Sequence, residues 1–156
     1  MARVGILGGT FNPPHLGHLV LAQEALLRLG LDRVLLVPAA TPPHKAVPGD
    51  PGADVRAELC RLAVAGDPRL EVSAIELDRG GTSYTVDTLR ALREASPGDE
   101  LTLIVGADMA ASLPAWREPE AILGLARLAV AEREGTERAA VLEALAGLDG
   151  GGAAVF

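Results

Sequence analysis

Short apolar runs of strand length alternate with helix-period segments along nearly the whole chain, and nothing else in the sequence narrows the possible folds as far. Arg3 to Leu7 (R-V-G-I-L) is an apolar run that ends against glycine, as a buried parallel strand does. Leu16 to Leu29 follows, with Leu19, Ala22, Leu26 and Leu29 on one helical face and Gly30 as its stop. Arg33 to Val37 is the next strand, closed by Pro38, and Asp54 to Ala65 is helix-period again with Asp54 as N-cap. Leu70 to Ile75 predicts a strand, Thr85 to Ala95 a helix, and Leu101 to Val105 (L-T-L-I-V) a further strand. A short helix over Glu118 to Leu125, a strand over Arg127 to Ala131 and a helix over Glu137 to Leu145 complete the pattern. The last residues, Ala153 to Phe156, look like one more strand. Repeated β-then-α order implies an α/β fold: an open, mostly parallel sheet with helices on both faces and right-handed crossovers.

With 156 residues the chain has room for one domain, 1–156, and its core needs no disulfide or metal staple. Aromatic residues make up only 3% against 49% hydrophobic, so that core is built from Ala, Leu and Val. A net charge of -7 excludes a protein that works by covering nucleic-acid phosphates, yet leaves room for a small basic site for one nucleotide. The single cysteine, Cys60, has no internal partner; it reads as core filler and fits a reducing compartment. The longest early apolar stretch, Leu16 to Leu31, is interrupted by His18, Gln23, Glu24 and Arg28, so it spans no membrane. A cytoplasmic location is the expectation, and oligomeric state stays open, a homo-oligomer included.

Two irregular inserts break the rhythm: 39–52, with four prolines, and Asp78 to Ser83. Both follow strands, as does the loop after the first strand, so all three reach the carboxyl edge of the sheet, where ligands of open α/β folds bind. That loop, G-G-T-F-N-P-P-H-L-G-H from Gly8 to His18, is the most informative segment. Its glycines let phosphates approach the backbone, and His15 and His18 bracket Gly17 at a helix start whose N–H groups favour an anion. It matches neither the Walker spacing nor the dinucleotide G-x-G-x-x-G pattern.

The string resembles the G-G-[TS]-F-[DN]-P-x-H-x-G-H signature of the nucleotidyltransferase superfamily, which implies a Rossmann-like fold and transfer of a nucleotidyl group. Three further segments narrow the resemblance: Pro42-Pro43-His44-Lys45, then Ser83 to Leu89 (S-Y-T-V-D-T-L), then Gly106-Ala107-Asp108-Met109 with Leu113 and Trp116. In that order they are similar to bacterial nicotinate-nucleotide adenylyltransferases. The resemblance implies transfer of AMP from ATP to nicotinate mononucleotide, with deamido-NAD and pyrophosphate as products and Mg²⁺ accompanying ATP. On that basis His15 and His18 are the catalytic pair on the triphosphate. Gly8, Gly9, Thr10, Phe11, Lys45, Gly106 and Asp108 join them on the ATP side, and no residue is assigned as a protein metal ligand. Thr85 and Trp116 are expected at the nicotinate, the indole stacking on the pyridine ring and the threonine meeting the carboxylate. As residues, Trp116 reads equally as core filler, Asp108 as a helix N-cap and Lys45 as a solvated loop residue.

The chain departs from the family in two places. Arg117 stands where an aromatic often follows the tryptophan, and a later S-[ST]-x-x-[IL]-R phosphate clamp is not reached before Phe156. We read the domain as lacking its C-terminal end. Two alternatives stand beside the enzyme: a catalytically weakened nucleotide-binding protein, and an adenylyltransferase for another phosphorylated acceptor.

Overall fold

The computed structural model describes residues 1–41, 49–132, 138–148 and 153–156. Its frame is six parallel strands: β1 (Arg3–Gly9), β2 (Arg33–Pro38), β3 (Leu70–Val72), β4 (Glu100–Gly106), β5 (Arg127–Ala131) and β6 (Ala153–Val155). They lie in the order β3-β2-β1-β4-β5-β6. Among the described residues seven α-helices accompany them: α1 (Leu16–Leu29), α2 (Ala53–Val64), α3 (Ile75–Arg79), α4 (Thr85–Ala95), α5 (Ala107–Ser112), α6 (Pro119–Leu125) and α7 (Arg138–Leu145).

Alternation along the strands produces two apolar layers. Val4, Ile6, Leu35, Val37, Leu103 and Val105 face Val86 and Leu89 of α4, Ile122 of α6 and Val141 of α7. Leu7, Val34, Leu36 and Ile104 face the other way, onto Ala22 and Leu26 of α1 and Cys60 of α2. The sheet therefore carries helices on both faces, as the β-then-α alternation implies. Gly5, mid-strand in β1, leaves space for this packing: a Cβ there would come within 2.8 Å of Ile104 Cδ1 and Leu31 Cδ1. Gly30 ends α1 in the left-handed region at φ 60°, the conformation a C-terminal glycine adopts without strain. Cys60 lies in the core as expected, its thiol pushed up to about 11 by burial.

Four local expectations are corrected. α2 begins at Ala53 with Gly52 as N-cap; Asp54 lies inside the first turn, where its charge meets the positive end of the helix. The strand predicted over Leu70 to Ile75 stops at Val72, since β3 is a sheet edge paired only with β2. Ile75 instead opens α3, which takes up the start of the insert predicted as irregular from Asp78. Finally, α5 follows β4 directly with Gly106 as N-cap, so Asp108 stands in the first turn and not at the cap.

Candidate active site

The strand order reverses between β1 and β4: the chain runs outward from β1 to β2 and β3, then returns to lay β4 on β1's other side. Crossovers leaving in opposite directions open a crevice beyond the carboxyl ends of these two strands. A cavity of about 1030 Å³ occupies it. The cavity gathers Gly8, Gly9 and Thr10 from the end of β1, His18 from α1 and Gly106 from the end of β4. From the other helical layer it gathers Thr85 and Trp116. A Cβ at Gly106 would meet nothing within 4 Å, so the space beside it is open to a ligand.

The imidazoles are built as a pair. His15 is the N-cap of α1 and His18 lies one turn in, with ring centroids 3.8 Å apart and planes 25° from parallel. His18 Nδ1 accepts the His15 backbone N–H at 3.0 Å. In the neutral ring the proton then sits on Nε2, which leaves a donor toward the cavity His18 lines. Burial first, and the neighbouring charge of His15 second, hold the His18 pKa below the ordinary histidine value. Phe11 does not line the cavity. Its ring is buried and meets His18 edge-on at 4.8 Å, so it props the imidazole from behind. His15 is exposed and also stands outside the cavity wall, touching it through His18.

Thr85 is the first residue of α4, so a helix N-terminus with its unpaired N–H groups faces the cavity. Trp116 is half-buried with one edge against the core, and its Nε1–H donates to Ser112 Oγ at 2.9 Å. Ser112 in turn donates to the Met109 carbonyl at 2.7 Å, which fixes the indole plane. Both readings of Trp116 therefore hold together, part core filler and part cavity wall. The guanidinium of Arg117 stacks over the Tyr84 ring at 4.6 Å, and both residues line the cavity. Asp108 is exposed in the first turn of α5 and outside the cavity lining. Lys45, with Pro42, Pro43 and His44, lies outside the described residues.

Two features of the site carry roles that the sequence did not disclose. Arg56 is fully buried and donates to the carbonyls of Thr10 (2.8 Å), Ala39 (2.7 Å) and Ala40 (3.2 Å), and to Asp50 Oδ1 (3.0 Å). One planar fork thus ties the loop after β1 to the loop after β2. Only its neighbours in space disclose this role. The second is Glu76, a buried carboxyl on the cavity wall that accepts the Thr88 hydroxyl at 2.6 Å. Burial raises its pKa, opposed by the hydroxyls of Thr88 and Ser83 and by Arg79. Glu76 falls between a predicted strand and a predicted insert, where no local pattern marks it.

Among the described residues no three His, Cys, Asp or Glu side chains converge as a metal cage. Among the same residues no helix is long and apolar enough to cross a membrane.

The crevice at the switch point thus joins a glycine-rich strand end to an imidazole one turn into α1. A family profile described as cytidylyltransferase-like matches residues 6–149, and the chain belongs to that family. Within it, the chain is 51% identical over 131 residues to a Trichlorobacter lovleyi protein described as "Probable nicotinate-nucleotide adenylyltransferase". That match covers 84% of this chain and 62% of that protein. A Thermus thermophilus protein of the same description is 53% identical over 133 residues, covering 85% of this chain and 70% of the other. The resemblance to the bacterial nicotinate-nucleotide adenylyltransferases is thereby borne out. The chain spans between 62% and 70% of the length of the curated relatives it matches. A solved Plasmodium falciparum nicotinic acid mononucleotide adenylyltransferase, complexed with NaAD, superposes at a TM-score of 0.80. Its 14% identity covers 100% of this chain and 75% of that one, a likeness of fold.

Proposed function

We propose that this chain transfers AMP from ATP to nicotinate mononucleotide, giving deamido-NAD and pyrophosphate. The observation that carries this reading is the single cavity that joins the Gly8–His18 loop to the Thr85 and Trp116 wall. The names of the curated relatives support the acceptor and the product. The acceptor's phosphate oxygen attacks the α-phosphorus of ATP in line, the bond from that phosphorus to the β-phosphate oxygen breaks, and pyrophosphate leaves with the electron pair.

No protein nucleophile takes part, so the work of the chain is positioning and stabilisation of charge. The His18 Nε2–H donates to the reacting phosphate, and the stacked His15 ring holds His18 in its orientation. Backbone N–H groups of Gly9 and Thr10 line the phosphate path, and Lys45, outside the described residues, adds a cation. Gly106 leaves room for the adenosine, and Asp108 accepts from its ribose hydroxyls. Trp116 stacks on the pyridine ring and the start of α4 receives its carboxylate. Mg²⁺ bound to ATP supplies further neutralisation of phosphate charge. The single cysteine, Cys60, supports a reducing, cytoplasmic setting.

The test is pyrophosphate release with Mg-ATP and nicotinate mononucleotide, in wild type and His18→Ala. Loss of the donor should lower kcat by roughly 10²–10³ with the ATP KM nearly unchanged. An unchanged rate removes His18 from the mechanism, and turnover only with a different acceptor removes nicotinate mononucleotide.

A further inference from the structure

We propose that the Arg117 side chain selects a carboxylate-bearing pyridine nucleotide over its uncharged carboxamide counterpart; this rests on the acceptor reading above. Arg117 stands where an aromatic often follows the tryptophan, so this wall of the cavity carries a guanidinium. Of the described residues lining the cavity, Arg117 is the one permanent cation. The buried acid on the same wall, Glu76, is occupied by the Thr88 hydroxyl at 2.6 Å, and Arg79 donates to that same hydroxyl at 3.1 Å.

The way Arg117 is held matters as much as its charge. With Cζ over the Tyr84 ring, 4.6 Å from its centroid, the guanidinium is anchored by a cation–π contact on the cavity wall. With Arg90, the charge of Arg117 helps to hold the Glu118 carboxyl below its ordinary range. Glu118 is itself gripped by both terminal nitrogens of Arg90, at 3.0 Å and 2.9 Å, and Arg90 also stands 3.9 Å from Asp87. This pair ties α4, which begins at Thr85, to the segment carrying Trp116 and Arg117. Tyr84 immediately precedes Thr85, and Arg117 immediately follows Trp116. The stacking surface, the helix N-terminus and the guanidinium therefore belong to one corner of the cavity. A carboxylate on a ring stacked at Trp116 gains a charge-assisted hydrogen bond there; a carboxamide brings no charge and leaves the guanidinium less well satisfied.

Trp116 is the sole tryptophan, so its fluorescence reports occupancy of this corner directly, independently of turnover. Titration of the full chain with nicotinate and nicotinamide mononucleotides compares wild type, Arg117→Gln and Arg117→Lys, with circular dichroism confirming each fold. Wild type should prefer the acid. R117Q should weaken the acid at least tenfold while the amide stays within twofold, and R117K should recover part of the loss, with ATP affinity the same in all three. A preference for the acid that survives in R117Q, or parallel weakening of both ligands, overturns the proposal and leaves the acceptor reading standing. Wild type that binds neither mononucleotide overturns both.

Discussion

A methyl group at position 17 would lie 2.8 Å from Cε1 and 2.9 Å from Nδ1 of His15. Gly17 is therefore a steric requirement of the imidazole pair: the ring of His15 covers the position where a side chain would stand. Gly17→Ala should turn His15 away and release His18 from its stack. We expect kcat to fall about tenfold or more, because orientation at the phosphate is lost, while thermal unfolding shifts little. Steady-state kinetics beside a melting curve checks this; an unaltered kcat would show that the stack is incidental. The H-L-G-H string was visible in the sequence as two histidines at a helix start. That one ring shields the other, and that Nδ1 of His18 is taken by the backbone of His15, depends on rotamers no pattern displays.

At the scale of elements, α2 does more than cover the sheet. Its second turn sends Arg56 beneath two loops and satisfies three carbonyls that have no strand to bond. Arg56→Met keeps much of the volume but leaves these carbonyls without their side-chain donor and Asp50 without its guanidinium partner. A loss of about 3 kcal/mol is expected in urea denaturation, together with weaker ATP binding as the Thr10 loop loosens. A stability within 0.5 kcal/mol of wild type would show that the loops hold themselves, a difference of the size ordinary surface changes make. The long elements were legible: α4 covers Thr85 to Ala95 and β5 covers Arg127 to Ala131, both as predicted. α3 and α5, five and six residues long, were not. A helix of one or two turns is too short to display a 3.6-residue period, and contacts such as Glu76 with Thr88 decide it.

In the whole molecule the decisive fact is where β4 returns. By pairing with β1 it brings Gly106 to the same cavity as Gly8 and Gly9, and the space beside Gly106 is filled by no protein atom. Gly106→Val should therefore fold normally yet obstruct the cavity. We expect the ATP KM to rise about tenfold or more, with the melting temperature within a few degrees of wild type. Unchanged nucleotide affinity in calorimetry would place ATP elsewhere than this crevice.

The alternation of strands and helices, the parallel sheet, the helix boundaries of α1 and α4 and the glycine-histidine loop all follow from residues close in the chain. Periodicity and capping are properties of sequence neighbours, so the order of the residues suffices to determine them. Strand order, the fan of Arg56 onto a carbonyl 46 positions away, and the stacking of Arg117 on Tyr84 were settled only in three dimensions. Each joins residues with no local signature of one another, and the packing of the two layers on the sheet selects which of them meet.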